Sequence, residues 1–269
     1  MKKLVIIIPA RYGSSRFEGK PLAKISGKSM LQRVHEIAQK TVEKIGQGEI
    51  FVATEDERIK EHAESIGANC VMTPDSCKTG SDRALAACEN IGYIPDIVLN
   101  LQGDAPLTPV TFVEAVAKSL LDCDESDVVT PVVKLSWDAL DKLRESKKTT
   151  PFSGTTAILN SDGFALWFSK NIIPAIRKED SLRQESNSSP VFKHVGLYGY
   201  KYDALKRFVT LPEGVYEKLE GLEQLRMIEV GMKIKTVKVD FGDIPQIGVD
   251  TPEDAKRAEE VINKFGEIV

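Results

Sequence analysis

The stretch LVIIIPARYGSSRFEGK, residues 4–20, begins as an apolar, mostly β-branched run and ends in a polar loop. Such a continuous run is typical of a strand that is buried on both faces of a parallel sheet. The loop carries three cations, Arg11, Arg16 and Lys20, with two glycines and two serines. Cations, hydroxyl groups and closely approaching glycine backbone are what a triphosphate pocket requires. The stretch therefore predicts a phosphate-binding loop at a strand end, and a solvated basic loop is the alternative.

Strand-like and helix-like patterns alternate through the first half of the chain. Strands are predicted at 4–8, 49–54, 70–73, 96–102 and 127–133, with amphipathic helical patterns between the first four pairs. This order predicts an α/β fold, a mostly parallel, doubly wound and Rossmann-like sheet with helices on both faces. Ligands of such sheets bind beyond the carboxyl ends of the strands.

The second half of the chain changes character. Two strands flank the turn sequence SDG and predict a hairpin. Further predicted elements are strands at 156–160, 164–169, 191–202 and 233–239, a polar mobile loop at 177–190, one helix at 216–231 and a last helix capped by Thr251. We expect a single domain over 1–269. Its nucleotide-binding core covers about 1–135 and 232–269, and an antiparallel β insertion covers about 150–231.

Composition excludes several classes of protein. With 42% hydrophobic and 28% charged residues and a net charge of −4, the chain is typical of a soluble globular protein and lacks the basic surface of a general nucleic-acid binder. No apolar run reaches the ~20 residues of a membrane span. The four cysteines form no CxxC pair, and the three histidines are not spaced for zinc. We expect a cytoplasmic protein with no nucleic-acid polymer or membrane partner.

Two acidic residues stand where apolar segments end. Asp104 lies in LNLQGDAPLTP (99–109) and Asp250 in IGVDTPEDA (247–255). A carboxylate at a strand end is well placed to bind Mg²⁺, a hard cation that prefers carboxylate and phosphate oxygens. Capping of a turn or helix is the alternative for each of them. Spacing alone does not show that the two carboxylates converge.

The remaining candidates are weaker when each is considered alone. His194 lies on a predicted strand near Tyr198, where a lone histidine is more often structural than catalytic. TGSDR (79–83) predicts a helix start that is capped by Ser81 or Asp82 and could also contact a ligand. LEQLR (222–226) has the pattern of a solvated helix face.

Taken together, the motifs resemble one family. IIPARYGSSRFEGKPL, TGSDR, NLQGDAPL, FSKNIIP, KHVGLYGY, LEQLR and VDTPEDA occur in the order and spacing of the 3-deoxy-manno-octulosonate cytidylyltransferases. The resemblance runs from about residue 3 to about residue 262. Each motif is modest, but the ordered set is highly specific.

The resemblance implies a nucleotidyltransferase fold, a homodimer, and an enzyme that activates a 3-deoxy-2-keto sugar acid with CTP for lipopolysaccharide synthesis. The products are the CMP-sugar and pyrophosphate, and Mg²⁺ is the implied cofactor. The catalytic residues implied are Arg11, Lys20, Asp104 and Asp250. The implied binding residues are Arg11, Ser14, Arg16 and Lys20 for the triphosphate, Ser81 and Arg83 for the nucleoside, Gln102, Lys170, His194, Tyr198, Glu223 and Gln224 for the sugar acid, and Asp104 and Asp250 for the metal.

Three positions depart from the family pattern and leave the sugar acid open. Glu18 lies in a segment where relatives often read RLPGKPL, Ala105 replaces the second acid of QGDEP, and Lys170 replaces an arginine. An 8-amino-8-deoxy analogue is therefore an alternative substrate. A transferase for another sugar acid or a sugar 1-phosphate and a catalytically silent nucleotide-binding homologue are rival interpretations. A dinucleotide oxidoreductase is disfavoured because GxGxxG is absent.

Overall fold

The computed structural model describes residues 2–13, 16–242 and 248–267. Ser14, a predicted triphosphate ligand, lies outside the described residues. The strands are β1 (Leu4–Pro9), β2 (Lys24–Ile25), β3 (Lys28–Ser29), β4 (Glu49–Thr54), β5 (Asn69–Met72), β6 (Ile97–Asn100), β7 (Val128–Ser136), β8 (Thr156–Leu159), β9 (Ala165–Ser169), β10 (Ser188–His194), β11 (Tyr198–Lys201) and β12 (Ile234–Val239). The helices are α1 (Met30–Ile45), α2 (Glu57–Ser65), α3 (Gly80–Asn90), α4 (Val110–Asp122), α5 (Trp137–Thr149), α6 (Glu179–Glu185), α7 (Tyr202–Thr210), α8 (Val215–Glu220), α9 (Glu223–Glu229) and α10 (Pro252–Phe265).

The chain divides into two compact units. The first comprises Met1–Asp122, Leu197–Val209 and Phe241–Val269, and the second comprises Cys123–Gly196 and Thr210–Asp240. The strand β12 belongs to the second unit. The expected organisation as one domain with an insertion stays a prediction.

The first unit is built on a mostly parallel sheet in the order β5-β4-β1-β6-β11, of which only the last pair is antiparallel. Val5, Ile6, Ile7 and Ile8 of β1 are fully buried at its centre. A strand that is buried on both faces needs such a continuous apolar run. Helices flank this sheet, as the alternating sequence pattern predicts. A separate antiparallel hairpin of β2 and β3 follows the first loop.

The second unit is mainly antiparallel. Its sheet has the order β12-β7-β10-β8-β9, and β12 with β7 is the one parallel pair among these strands. The hairpin of β8 and β9 turns at residues 160–164, as the SDG signal predicts. The predicted fold class, a mostly parallel α/β sheet with an antiparallel insertion, is confirmed.

Some predicted elements are wrong. Residues 177–190 are not a simple loop, because they contain α6 and the start of β10, and the predicted strand at 191–202 is divided between β10 and β11. The predicted helix at 216–231 is two helices, since Gly221 between them adopts the left-handed conformation with φ 63°. In TGSDR the N-cap is Thr79, whose hydroxyl accepts from the Asp82 amide in a capping box. The cap by Thr251 on α10 is confirmed.

In the described part of the chain, no helix combines the length and the apolar character that a bilayer-spanning segment requires.

Candidate active site

The loop after β1 ends in a turn that positions Lys20. Gly19 adopts the left-handed conformation, with φ 67°, and its amide donates to the Tyr12 carbonyl at 3.0 Å. This conformation suits glycine, since other residues pay a steric cost there. Lys20 then opens a single 3₁₀ turn, and its side chain is only 15% exposed. The turn at Gly19 and Lys20 holds the ammonium group of Lys20 at a defined place in the first unit.

Asp104 follows β6 after a close approach between two strand ends. A Cβ built on Gly103 would lie 2.5 Å from the Pro9 carbonyl oxygen, so only glycine fits there. The side chain of Asp104 is 40% exposed, and its Oδ2 accepts a hydrogen bond from Lys20 Nζ at 3.0 Å. The carboxylate therefore leaves the sheet at its carboxyl end, as predicted, and its contact is with a cation rather than with the amide of a turn or a helix.

Asp250 reaches the same ammonium from the other end of the sequence. The Val249 amide donates to the Asp104 carbonyl at 3.0 Å, which ties the two segments together. Asp250 Oδ1 accepts from Lys20 Nζ at 3.2 Å. Capping of α10, the alternative for Asp250, is performed by Thr251.

A hydrophobic cluster holds these segments in place. Its buried members are Ile25, Met30, Leu107, Val249, Ala255, Ala258, Val261 and Ile262. Leu107 lies three residues after Asp104, Val249 immediately precedes Asp250, and Ile25 follows the turn of Lys20. The core of the first unit therefore fixes all three charged groups through their sequence neighbours.

Two positively charged and two negatively charged side chains lie together at Lys20. Arg16 Nη2 lies 3.3 Å from Asp250 Oδ2, with the arginine side chain 65% exposed. Two carboxylates thus contact two cations. Arg11 is exposed, and its Nη1 donates to the Lys78 carbonyl at 3.4 Å. The structure brings Arg16, Lys20, Asp104 and Asp250 together.

The donor set suits a divalent cation that also binds substrate. No group of three or more His, Cys, Asp or Glu residues that could hold a metal occurs within 2–13, 16–242 and 248–267. Mg²⁺ usually keeps several waters and is bound through one or two carboxylates plus substrate phosphates. Asp104 and Asp250 fit that pattern, because they supply two hard oxygen ligands beside the cations Lys20 and Arg16.

The predicted nucleoside residues lie at the start of α3. The side chain of Gln102 lies against Gly80, where an added Cβ would be 3.3 Å from its Oε1. Ser81 and Arg83 are both buried. Arg83 Nη1 lies 2.6 Å from Glu55 Oε2 and donates to Thr73 Oγ1 at 2.6 Å. Its Nε and Nη2 have no hydrogen-bond partner among the described residues.

The second unit contains His194 and Lys170. His194 is buried, its Nε2 lies 2.8 Å from Thr130 Oγ1, and its ring packs edge-on against Phe168 at 5.0 Å. Burial, with a smaller contribution from Lys170, lowers the pKa of His194 to about 3. Burial also lowers the pKa of Lys170, against the opposing charge of Glu220. His194 is therefore neutral at physiological pH.

Amino groups gather around Lys170. Lys147 Nζ donates to the carbonyls of Lys170 at 2.6 Å and Gly154 at 3.1 Å. The pKa of Lys147 is lowered by burial and by the charges of Lys170 and Lys193, and burial lowers the pKa of Lys193. Burial disfavours the charged forms of these amines, and a nearby anion would stabilise those forms.

The other predicted sugar-acid residues lie in α9 and β11. Gln224 is buried in the second unit, and its Nε2 has no partner within the described residues. Glu223 beside it is partly buried. Tyr198 belongs to the first unit, where its ring stacks on Tyr200 at 6.0 Å.

Three supporting residues were not predicted. Glu55 and Thr73 hold Arg83, and Glu220 accepts from the Lys170 amide at 2.7 Å and from Ser169 Oγ at 2.8 Å. The acids that directly follow the strand 49–54 are a signal that could have indicated Glu55. Glu220 lies in a charged helix segment whose pattern carries no such signal.

Comparison with known proteins identifies the family. The sequence profile described as "Cytidylyltransferase" matches residues 5–234. The chain is 40% identical over 266 residues to the 3-deoxy-manno-octulosonate cytidylyltransferase of Maricaulis maris (strain MCS10), covering 99% of both chains. The chain belongs to the 3-deoxy-manno-octulosonate cytidylyltransferase family. The cytidylyltransferase of the same description from Desulfatibacillum aliphaticivorans is 41% identical over 261 residues, covering 97% of this chain and 98% of the relative.

A solved cytidylyltransferase structure agrees with this assignment. It is described as CMP:2-keto-3-deoxy-manno-octonic acid synthetase complexed with CTP, and it is 34% identical to this chain. The TM-score is 0.83, over 97% of this chain and 99% of the other. The resemblance that the ordered motifs predict is therefore confirmed at the level of the family.

Proposed function

We propose that this chain transfers the cytidylyl group of CTP to 3-deoxy-manno-octulosonate or a close analogue. The products are the CMP-sugar, which serves lipopolysaccharide synthesis, and pyrophosphate. The observation that carries the proposal is the junction at Lys20, whose ammonium contacts Asp104 and Asp250 from two segments far apart in sequence. Family membership over nearly the whole chain supports the interpretation of this junction as part of a cytidylyltransferase active site.

The chemistry proposed is an in-line displacement at phosphorus. The anomeric hydroxyl oxygen of the sugar acid forms a bond to the α-phosphorus of CTP, the bond to pyrophosphate breaks, and the hydroxyl proton goes to solvent. Bound Mg²⁺ would neutralise phosphate charge and lower the pKa of the attacking hydroxyl. Asp104 and Asp250 would hold that cation.

The cations of the first loop take the charge of the triphosphate. Arg11, Ser14, Arg16 and Lys20 would bind the phosphates, and positive charge held near the departing pyrophosphate lowers the barrier. Arg83, clamped by Glu55 and Thr73, would support the nucleoside site together with Ser81.

The sugar acid is assigned a second set of residues. Lys170, His194, Glu223 and Gln224 of the second unit are proposed to bind it, and the roles of Gln102 and Tyr198 stay predictions from the family resemblance. Neutral His194 would offer a hydrogen bond to a hydroxyl group without adding charge, because burial keeps its pKa near 3. Lys170 would supply positive charge for the carboxylate, with a point-charge geometry that differs from the planar fork of an arginine.

A pyrophosphate-release assay tests the proposal. The purified chain is incubated with Mg²⁺, one of CTP, UTP, GTP or ATP, and 3-deoxy-manno-octulosonate, its 8-amino-8-deoxy analogue or a sugar 1-phosphate. We expect release with CTP and a keto-sugar acid only. Release with a sugar 1-phosphate would establish the alternative transferase, and CTP binding without release on any acid would establish a silent homologue.

We further propose a cytoplasmic homodimer. The family resemblance supports both statements. Light scattering of the purified protein checks the second, with an expected mass twice the 29.7 kDa of the chain.

A further inference from the structure

We propose that Lys20 is an internal counter-ion that keeps the metal site closed until nucleotide binds. Its ammonium lies between the two carboxylates, 3.0 Å from Asp104 Oδ2 and 3.2 Å from Asp250 Oδ1. These are the two acids that the proposed function assigns to Mg²⁺, so this inference rests on that function. The place that a metal ion needs is taken in this structure by the protein's own cation.

Charge and distance both oppose binding of a metal ion alone. Asp104, Asp250, Lys20 and Arg16 form a set with no net charge, so a divalent cation approaching it gains little electrostatic energy. Mg²⁺ also requires oxygens at about 2.0–2.1 Å, whereas the two oxygens stand 3.0 and 3.2 Å from the ammonium nitrogen. Metal entry therefore requires Lys20 to leave.

A triphosphate provides the reason for Lys20 to leave. It offers about four negative charges to the loop that carries Lys20, and it brings phosphate oxygens that complete the coordination of the metal. The lysine side chain has a flexible four-carbon stem, so its ammonium can move to the phosphates while the turn after Gly19 stays in place. Nucleotide and metal then bind as a cooperative pair, each raising the affinity for the other.

Binding of Mn²⁺ without nucleotide tests this role directly. Free Mn²⁺ is measured by electron paramagnetic resonance during titration into the wild type, Lys20→Met, Lys20→Gln, Lys20→Arg and Lys24→Met. Removing one positive charge in contact with both acids should tighten Mn²⁺ binding by at least about tenfold in the Met and Gln variants. Lys20→Arg keeps the charge and Lys24→Met removes an exposed lysine elsewhere, so both should bind Mn²⁺ as weakly as the wild type does.

A second substitution shows where the additional Mn²⁺ affinity arises. Adding Asp104→Asn to Lys20→Met should abolish the tighter binding, and a persistent gain would place the Mn²⁺ elsewhere and overturn the proposal. Equal Mn²⁺ affinity in the wild type, Lys20→Met and Lys20→Gln would overturn it as well. Circular dichroism melting confirms that each variant is folded. Because no nucleotide or sugar is present, failure of this test is distinct from failure of the CTP-dependent activity.

Discussion

At the scale of single residues, Asp104 and Asp250 of the first unit share one contact, the ammonium group of Lys20. Asp104 and Asp250 are each about half exposed, and both contact Lys20. Their exposure means that they contribute little to the stability of the core, since surface ion pairs are worth about 0–1 kcal/mol. Substitution of either acid should therefore change the stability of the fold little, and its main effect is expected on the rate of the reaction.

The substitution Asp104→Asn should separate activity from stability. We expect the rate of CTP-dependent pyrophosphate release to fall by at least about 100-fold, because one negative charge is lost from the proposed metal site. The thermal unfolding midpoint should stay close to that of the wild type. Asp138→Asn is the matched control, since Asp138 is an exposed residue of α5. Near-normal activity of Asp104→Asn would remove Asp104 from the metal site.

His194 predicts a pH dependence of stability. Its pKa is about 3 in the folded chain and about 6.5 in the unfolded chain, so unfolding takes up a proton below pH 6.5. The contribution is present in full above that pH and is lost progressively as the pH falls toward 3. Between about pH 7 and pH 5, the free energy of unfolding of the wild type should fall by roughly 2 kcal/mol more than that of His194→Gln. Urea unfolding at both pH values measures this difference, and equal falls in the two proteins would show that His194 is not buried in its neutral form.

At the scale of elements, local sequence patterns predicted the helices and strands whose formation depends on those patterns. The opening strand has a continuous buried run and α10 has a capping box, so both kinds of signal lie in local sequence. The helix α6 was missed because none of its described residues is buried. Its one apolar side chain, Leu182, packs partly buried against the cluster of Leu135, Trp137, Leu140 and Val191. Glu179 adds ion pairs with Arg144 at 2.8 Å and with Arg183 at 2.7 Å. Hydrophobic periodicity cannot report such a helix.

The candidate site was predictable only in part for the same reason. The residue types of the phosphate loop and the two strand-end acids indicated a metal–nucleotide site from local sequence. Their convergence on Lys20 depends on the Val249–Asp104 hydrogen bond and on a hydrophobic cluster whose members are far apart in the sequence. The clamp of Glu55 and Thr73 on Arg83 is likewise a tertiary contact.

The close approach of two strand ends makes Gly103 a sensitive position. The added methyl group of Gly103→Ala would lie 2.5 Å from the Pro9 carbonyl oxygen, so the backbone that leads to Asp104 must shift. We expect loss of about 2 kcal/mol in the free energy of unfolding, with a large loss of activity. Gly196→Ala is the control, because nothing lies within 4 Å of the corresponding Cβ. If both variants were as stable as the wild type, the close approach would be wrong.

At the scale of the whole molecule, the hydrophobic core of the first unit directly supports the candidate site. Val249 is fully buried in the cluster beneath α10, and the next residue is a proposed metal ligand. A change in this part of the core should therefore affect the site as well as stability. An equal change elsewhere in the core should affect stability alone.

Val249→Ala and Val113→Ala test this coupling. Both valines are fully buried, and each change should cost about 2 kcal/mol in the free energy of unfolding. Only Val249→Ala should weaken Mn²⁺ binding in the presence of CTP, because Val249 and not Val113 adjoins Asp250. Urea unfolding and paramagnetic resonance at a temperature where both are folded give the two quantities. Equal Mn²⁺ affinities would show that the position of Asp250 does not depend on Val249.

The backbone link between Val249 and Asp104 has a consequence for biosynthesis. Translation delivers the loop after β1 and Asp104 early, but Asp250 emerges from the ribosome after every other residue of the proposed site. A nascent chain whose segment beyond residue 240 is still held in the exit tunnel can complete most of its parallel sheet while lacking one of its two acids. Because Asp250 is a proposed metal ligand, we expect a chain that is stalled before this residue to be inactive even where its scaffold has formed.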